Sequence, residues 1–251
     1  QFYDEIWVYG LSRIHQPLAA LPMDPEIAAR IDARLIYTGY LRRDLPERRA
    51  GRKEPAIADG PFILVTPGGG GDGAALIDWV IAAYEADPAI PLPALIAFGP
   101  FLDTDTRDGF AARIRALGGR IAAITFDSEI EFLLRKAAGI VAMGGYNTFC
   151  EILSFDRRAI LVPRTEPRRE QAIRALAAER LGVARVLMEA EGRTPGRMAA
   201  ALRDLPEQDP PSRVLVPGLL DGLDAVARRV RALTARGGAD AAARPCLQAY
   251  S

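Results

Sequence analysis

Short apolar segments recur along the chain, and helical patterns separate most of them from residue 62 onward. Each is a continuous apolar run, the form that strands take when both faces of a parallel sheet are buried. The predicted strands are Ile6–Tyr9, Leu35–Thr38, Phe62–Thr66, Ala94–Phe98, Arg120–Ile124, Ile140–Met143 and Ala159–Val162, with a weaker candidate at Arg185–Leu187. Because right-handed crossovers place helices on both faces, the pattern predicts an α/β fold with a doubly wound, Rossmann-like parallel sheet.

Apolar residues at helical spacing occupy the stretches between these strands. The predicted helices are Ala74–Glu85, Arg107–Leu117, Glu129–Lys136, Asn147–Phe155 and Glu170–Glu179, followed by an amphipathic helix at Leu219–Leu233. In an open sheet of this kind, ligands bind beyond the carboxyl ends of the strands, where the glycine-rich loops of this chain fall.

The chain divides into five segments by composition and pattern. Residues 1–45 are interpreted as the end of an amino-terminal domain with its connection, 46–60 as an exposed linker, 61–205 as the Rossmann-like domain, 206–235 as a proline-rich break with a crossover helix, and 236–251 as a flexible tail. A strand-like run begins almost directly after Gln1, so we expect an amino-terminal part to be missing.

Composition narrows the possible classes of protein only slightly. The 251 residues are 49% hydrophobic and 25% charged, which is ordinary for a globular protein with a sizeable core. A formal net charge of zero provides no general attraction for nucleic acid or an anionic membrane. The two cysteines, Cys150 and Cys246, make no disulfide framework, which favours the cytoplasm. No apolar run is long enough to span a bilayer.

The most informative stretch is residues 144–151, Gly-Gly-Tyr-Asn-Thr-Phe-Cys-Glu, directly after a predicted strand. Backbone N–H groups at a helix start that follows glycines can bind phosphate. Glu151 lies three and four residues after Thr148 and Asn147, so the three share one helix face. Its carboxylate can accept two hydrogen bonds from a ribose diol. The combination indicates a nucleotide sugar, and a glycine-tolerant turn with a solvated glutamate is the alternative.

A second glycine cluster, residues 67–73, follows the strand Phe62–Thr66 and contains the spacing G-x-G-x-x-G. A dinucleotide site would need an acidic residue at the end of the next strand, but that strand ends in Phe98-Gly99-Pro100. An NAD-binding or flavodoxin-like domain is therefore disfavoured. So many glycines favour close approach by a ligand or a neighbouring domain, with a tight turn as the alternative.

A third cluster follows the strand Ala159–Val162, which Pro163 ends. Arg164, Arg168 and Arg169 can approach phosphate, and Gln171 can hydrogen-bond a sugar hydroxyl. Solvation at the start of a helix is the alternative for the arginines.

The run from Gly144 to Glu151, with Pro163 and Gln171 downstream, resembles the carboxyl-terminal, donor-binding domain of a GT-B glycosyltransferase. It is similar to the MurG-like enzymes of the family 28 type and, more narrowly, to a bacterial group of predicted glycosyltransferases with the same segment. The resemblance extends over residues 60–190, and more loosely over 1–45. It implies a remnant of the amino-terminal domain, a cleft between two Rossmann-like domains, and a last helix that crosses back.

The resemblance also implies roles for individual residues. Glu151 would bind the ribose, Phe126 would mark the base site through backbone groups, and Gln171 would contact the donor sugar. Together with the residue patterns, it gives the candidate donor-binding set Gly69, Gly70, Gly71, Asp72, Phe126, Gly144, Gly145, Asn147, Thr148, Glu151, Arg164 and Gln171. Gly71 and Asp72 stand where the family has Ser and Gln, so the identities of the sugar and the acceptor do not carry over.

The expected activity is transfer of a hexosyl group from a nucleotide-diphosphate sugar, UDP-linked by expectation, to an unknown acceptor hydroxyl of a glycan, lipid or small molecule. Amides at helix starts can stabilise the leaving diphosphate without a metal, and no cofactor is expected. The hypothesis is an inverting, metal-independent transferase. The general base is expected in a missing domain or partner subunit, which would leave the isolated chain inactive. His15, the one histidine, is interpreted as a linker residue, and Cys150 as a small buried helix residue.

Three alternatives stay open. They are a nucleotide-sugar epimerase of the same fold, the donor-binding subunit of a split transferase, and a non-catalytic nucleotide-binding module. No nucleic-acid partner and no transmembrane segment are expected, and the expected location is the cytoplasm or the periphery of the inner membrane.

Overall fold

A parallel six-stranded sheet forms the centre of the larger of two compact units. The computed structural model describes residues 3–16, 18, 22–48, 50–51, 53–68, 73–167 and 169–243, the side chains of 236–243 excepted. The larger unit holds strands β3 (Ile63–Thr66), β4 (Ala94–Ala97), β5 (Ile121–Ile124), β6 (Gly139–Ala142), β7 (Ala159–Leu161) and β8 (Arg185–Val186). Their order across the sheet is β5-β4-β3-β6-β7-β8, so the chain starts in the middle and builds outward in both directions.

Helices connect successive strands of this sheet. They are α2 (Ala74–Ala86), α3 (Thr104–Ala116), α4 (Ile130–Lys136), α5 (Tyr146–Ser154), α6 (Glu170–Arg180) and α7 (Pro195–Asp204). Helices α2, α3, α5 and α6 join strands that are parallel neighbours, α4 connects β5 at one edge to β6 beyond β3, and α7 follows the last strand. Short 3₁₀ turns occur at Ala56–Asp59, Glu189–Glu191, Leu205–Glu207 and Pro211–Arg213.

The core lies on both faces of the sheet, and this explains the continuous apolar runs. Ile63 and Val65 belong to one cluster with residues of α2, α3 and α7, whereas Leu64, between them in the sequence, is also fully buried. Because side chains alternate along a strand, Leu64 faces the opposite side. The indole N–H of Trp79 on α2 donates to the Thr194 carbonyl at 2.7 Å, which joins α2 to the start of α7.

The smaller unit contains the first and last described segments of the chain, residues 3–12, 16–42 and 217–243. In it β1 (Ile6–Val8) pairs in parallel with β2 (Leu35–Tyr37), and α1 (Pro25–Asp32) connects them. The Asp24 carboxylate caps α1 by accepting the N–H groups of residues 26 and 27. The long helix α8 (Gly222–Ala243) completes the unit.

The predicted parallel α/β sheet is confirmed, with differences at particular boundaries. The helix predicted from Arg107 begins at Thr104, because the Asp103 carboxylate accepts the N–H of Thr106 at 2.9 Å and caps the helix earlier. Helices α1 and α7 were not predicted, although both have proline in the first turn. The larger unit comprises Arg13–His15 and Arg43–Val216, so parts of the segment interpreted as an amino-terminal remnant belong to it.

The carboxyl-terminal segment also differs from the expectation. The predicted helix Leu219–Leu233 begins later, at Gly222, and continues to Ala243, into the segment interpreted as a flexible tail. Residues 244–251 lie outside the described residues. Within the described chain, the helices lack the combined length and apolarity that crossing a bilayer requires.

Substitution of Gly139 tests how tightly the sheet packs against the chain after α7. A Cβ on Gly139 would lie 2.6 Å from the Leu205 side chain. We therefore expect Gly139→Ala to lower the free energy of unfolding by about 1–3 kcal/mol, measured by urea denaturation.

Gly109→Ala is the matched control for this substitution. Gly109 is an exposed position inside α3, and an added Cβ there would meet nothing within 4 Å. Since alanine favours the helix over glycine, the control should raise stability by about 0.5–1 kcal/mol. Equal effects of the two substitutions would contradict the packing described here.

Candidate functional site

Two glycine turns lie side by side at the carboxyl edge of the sheet. Strands β3 and β6 are neighbours in parallel register, with Thr66 opposite Ala142. The chain leaves β3 toward β4 and leaves β6 toward β7, on opposite sides, so the gap between them is the point where the strand order reverses. The turns begin with Gly68 at φ +87° and Gly144 at φ +75°, conformations that favour glycine.

Two cavities adjoin at these turns and share Thr66, Gly68, Asn147 and Thr148 in their lining. The first cavity, of about 220 Å³, is further lined by Ala97, Gly99, Pro100, Phe126, Asp127, Ile130, Leu134 and Glu151. The second cavity, of about 300 Å³, is further lined by Pro67, Met143, Gly144, Gly145, Tyr146, Arg164 and Gln171. All eight described members of the predicted set line one or both of them.

The start of α5 supplies the wall of the second cavity. Gly145 occupies the N-cap position at φ −55°, and the first intrahelical bond runs from the Phe149 N–H to the Gly145 carbonyl at 2.9 Å. The N–H groups of the first helical turn therefore have no partner within the helix. A Cβ on Gly145 would meet nothing within 4 Å, so the backbone is bare toward open space. This geometry suits an anion that approaches the backbone closely.

Glu151 is the ionisable residue of α5 that lines the first cavity. Its side chain is half-buried, and burial is the main reason that the pKa of its carboxyl is raised. The Glu131 carboxylate raises this pKa further, whereas the Arg43 guanidinium opposes the rise. A half-buried carboxylate beside a cavity is suited to accept hydrogen bonds from a diol once it is ionised.

Arg43 is a site residue that sequence reasoning missed. It was placed in a connecting segment, 104 positions before Asn147, and no local pattern distinguishes it from the neighbouring arginine. Its backbone N–H donates to the Ser154 hydroxyl at 2.9 Å, and its guanidinium donates to the Asn147 side-chain carbonyl at 2.6 Å. Arg43 therefore holds both ends of α5 and brings positive charge near Glu151.

Helix α6 contributes a second arginine that was not predicted. Arg174 donates from Nη1 to the Gly144 carbonyl at 2.9 Å, and its guanidinium lies over the Tyr146 ring at 5.7 Å. One turn earlier on the same helix, the Gln171 side-chain carbonyl accepts the Arg164 N–H at 3.4 Å. The helical spacing of Gln171 and Arg174 would have placed them on one face, but only the structure shows what that face meets.

The remaining predicted residues have different outcomes. Phe126 is 62% exposed and lies beside the first cavity. Gly69, Gly70, Gly71 and Asp72, the loop expected to touch phosphate, lie outside the described residues, as does Arg168. Cys150 is fully buried, as interpreted.

His15, interpreted as a linker residue, packs with the larger unit and lines neither cavity. Burial and the nearby Arg174 charge lower the pKa of its imidazole, against the opposite effect of Glu170. The structure therefore gives it a half-buried position rather than a surface one.

Another cavity, of about 520 Å³, lies in the smaller unit beside α1 and β2. Its lining includes Asp32 and Tyr37 but none of the predicted residues. Volume alone does not define a site, and the pair of cavities at the switch point combines bare backbone amides with a perturbed carboxyl group. We therefore take that pair as the candidate site.

Comparisons with known proteins point to one family. The sequence-family model described as glycosyltransferase family 28 C-terminal domain matches residues 63–211. A search of curated proteins found no match.

Three solved structures that share the fold of this chain are described as glycosyltransferases. CalG4, the calicheamicin glycosyltransferase, has a TM-score of 0.60 at 19% identity and covers 95% of this chain and 53% of its own. The glycotransferase of kitacinnamycin has a TM-score of 0.56 at 20% identity, and the match covers 91% of this chain and 51% of that protein. MurG from Acinetobacter baumannii has a TM-score of 0.54 at 15% identity, and the match covers 80% of this chain and 52% of that protein. The chain thus spans about half the length of these proteins, and the expected fold of a GT-B carboxyl-terminal domain is confirmed.

Replacement of Glu151 by glutamine tests the environment of this carboxyl group. Because its pKa is raised in the folded state, folding is disfavoured progressively as pH rises from the unfolded pKa through the folded one. Glu151→Gln keeps the shape but cannot ionise. Relative to the unchanged protein, we expect the variant to gain stability as the pH rises from acid to neutral, reaching a plateau above the raised pKa.

Urea denaturation at a series of pH values measures this difference. Glu47→Gln, at an exposed position, corrects for the general effect of replacing a glutamate. A stability difference between Glu151→Gln and the unchanged protein that is independent of pH would contradict the assigned environment.

Proposed function

The chain belongs to the glycosyltransferase family 28 C-terminal domain family, and on this premise we propose that its two adjoining cavities bind a nucleotide-diphosphate sugar, UDP-linked, for hexosyl transfer. The observation that supports this most is the position of Glu151 on the same short helix as the bare amides at its start, one turn beyond Asn147 and Thr148. Diphosphate and ribose are linked in the donor by only one methylene group, so a short helix can contact both.

In the proposed arrangement the nucleoside occupies the first cavity. The ribose hydroxyls donate to the ionised Glu151 carboxylate, which accepts both without moving. The base lies between the exposed Phe126 and the strand-end residues Gly99 and Pro100, which also line this cavity. Backbone groups at Phe126 are then available for the base edge, in keeping with the family resemblance.

The diphosphate and the sugar occupy the second cavity. Amides at the start of α5 face the diphosphate, and the positive end of the helix dipole favours its charge. Gln171 and Arg164, which line the same cavity, are placed to contact the sugar and the adjoining phosphate. The Asn147 side chain is fixed by Arg43 and lies between the two cavities.

The proposed chemistry is a single displacement. The acceptor oxygen bonds to the anomeric carbon, the bond from that carbon to the diphosphate oxygen breaks, and its electron pair leaves with the diphosphate. Preorganised amides stabilise the charge that develops on the leaving group. The acceptor proton goes to a general base that we place outside this chain. The acceptor attacks from the face opposite the leaving diphosphate, and this inverts the configuration at the anomeric carbon.

The donor-binding proposal predicts nucleotide recognition through Glu151. UDP-sugars should raise the melting temperature of the protein, and GDP- and TDP-sugars serve as the comparison for the base. Glu151→Ala should weaken binding about 100- to 10,000-fold, because it removes two hydrogen bonds to a charged acceptor, each worth about 1.5–3 kcal/mol. Isothermal titration calorimetry measures the affinities.

Asp108→Asn, an exposed carboxylate on α3, is the control and should bind like the unchanged protein. If Glu151→Ala binds every nucleotide as tightly as the control does, ribose recognition by Glu151 is wrong.

Substitution of Gly145 separates the diphosphate from the nucleoside. The position is at φ −55° with open space around an added Cβ, so Gly145→Ala should fold normally. Its methyl group would stand where a phosphate must approach the backbone. We expect at least about tenfold weaker UDP binding with an unchanged melting temperature of the free protein. Undiminished UDP affinity would place the diphosphate elsewhere.

A further inference from the structure

We propose that Arg174 is a positioning residue for the leaving diphosphate, acting through the Gly144–Gly145 peptide rather than by touching the donor. This rests on the proposed function, since it assumes that the second cavity receives the diphosphate. The role is one of orientation and polarisation: Arg174 fixes the peptide from behind and makes its N–H a stronger donor toward the cavity.

The contact with Arg174 determines which way the Gly144–Gly145 peptide points. Arg174 Nη1 donates to the Gly144 carbonyl at 2.9 Å. The only cis peptide seen in the described chain is Glu166–Pro167, so the Gly144–Gly145 peptide is trans. In a trans peptide the carbonyl and the N–H point in opposite directions. The Gly145 N–H therefore points away from Arg174.

The second cavity lies on one side of the Gly144–Gly145 peptide, and Arg174 lies on the other. Gly144 and Gly145 line the second cavity, whereas Arg174 is absent from its lining. Within the described chain no hydrogen-bond acceptor is seen for the Gly145 N–H. A donor in this position is suited to an incoming anion, and no side chain at Gly145 obstructs the approach.

The charge of Arg174 strengthens the hydrogen bonds of the Gly144–Gly145 peptide. A hydrogen bond with a charged donor is stronger than a neutral one, and bonds in a chain polarise one another. The Arg174 guanidinium also lies over the ring of Tyr146, the first residue of α5, at 5.7 Å from the ring centroid. Two contacts of one side chain thus fix both the glycine peptide and the helix start that follows it.

Such a device has a chemical use. An arginine in direct contact with phosphate would bind substrate and product diphosphate alike. A positive charge placed behind a peptide bond instead strengthens a neutral donor, which gains most as negative charge develops on the leaving oxygen. Arg174 therefore ties α6, which carries Gln171 toward the sugar, to the turn that receives the phosphate.

The test compares two probes, UDP and uridine, which differ only in the diphosphate. Arg174→Met keeps much of the side-chain volume but removes the charge and the donor. We expect its UDP affinity to fall about tenfold while its uridine affinity stays unchanged, measured by NMR titration so that weak binding remains accessible. Arg180→Met, an exposed arginine on the same helix, is the control and should change neither affinity.

Two further measurements keep the test decisive. Arg174→Lys retains a charge but not the planar guanidinium with its several donors, and should lose less UDP affinity than Arg174→Met. In the free protein, the Gly145 amide proton should shift upfield in Arg174→Met, as its peptide is no longer polarised. If Arg174→Met does not fold, the lysine variant gives both readouts.

The outcomes are distinguishable. Equal losses for UDP and uridine would show a general structural role and overturn the proposal, as would unchanged UDP affinity in both Arg174 variants. If the unchanged protein does not bind UDP at all, the proposed function itself fails, and this inference fails with it.

Discussion

The parallel pairing of β3 with β6 is the constraint on which the rest of the site depends. These two strands are 76 positions apart by register, Ile63 opposite Gly139, yet they bring two glycine turns to one edge of the sheet. The chain then departs to opposite sides, and a crevice of this kind is where ligands bind in open α/β sheets. Helix α5 starts at this crevice, and the loops that follow β4, β5 and β7, with helix α6, supply the other residues of the candidate site.

A conflict between stability and binding follows from that placement. Glu151 is half-buried, and burial with Glu131 nearby raises the pKa of its carboxyl, so ionising it costs free energy. Arg43 offsets part of that cost and also fixes Asn147. The diphosphate of the proposed donor is negative as well, and in the proposed arrangement the backbone amides at the start of α5 match its charge, with Arg164 beside the same cavity. The proposed effect of Arg174 strengthens these amides from outside the cavity.

Much of this was predictable from sequence because the relevant signals are local. Continuous apolar runs fixed the strands, and the order glycine, glycine, helix, glutamate placed Glu151 one turn from the amides. Helix α3 begins at Thr104 rather than at the predicted Arg107, because the N-cap Asp103 sets the start of the helix and the spacing of apolar residues does not. Arg43 and Arg174 could not be found in this way, since their roles are set by contacts with residues 104 and 30 positions away.

We propose that amides at the start of α5 hold a diphosphate while Glu151 holds its ribose. The decisive measurement is a crystal structure with UDP, grown above the raised pKa of Glu151. We expect a phosphate oxygen within hydrogen-bonding distance of the Gly145 N–H and both ribose hydroxyls on the Glu151 carboxylate. A nucleotide bound away from the crevice between β3 and β6, or one whose ribose does not contact Glu151, would contradict it.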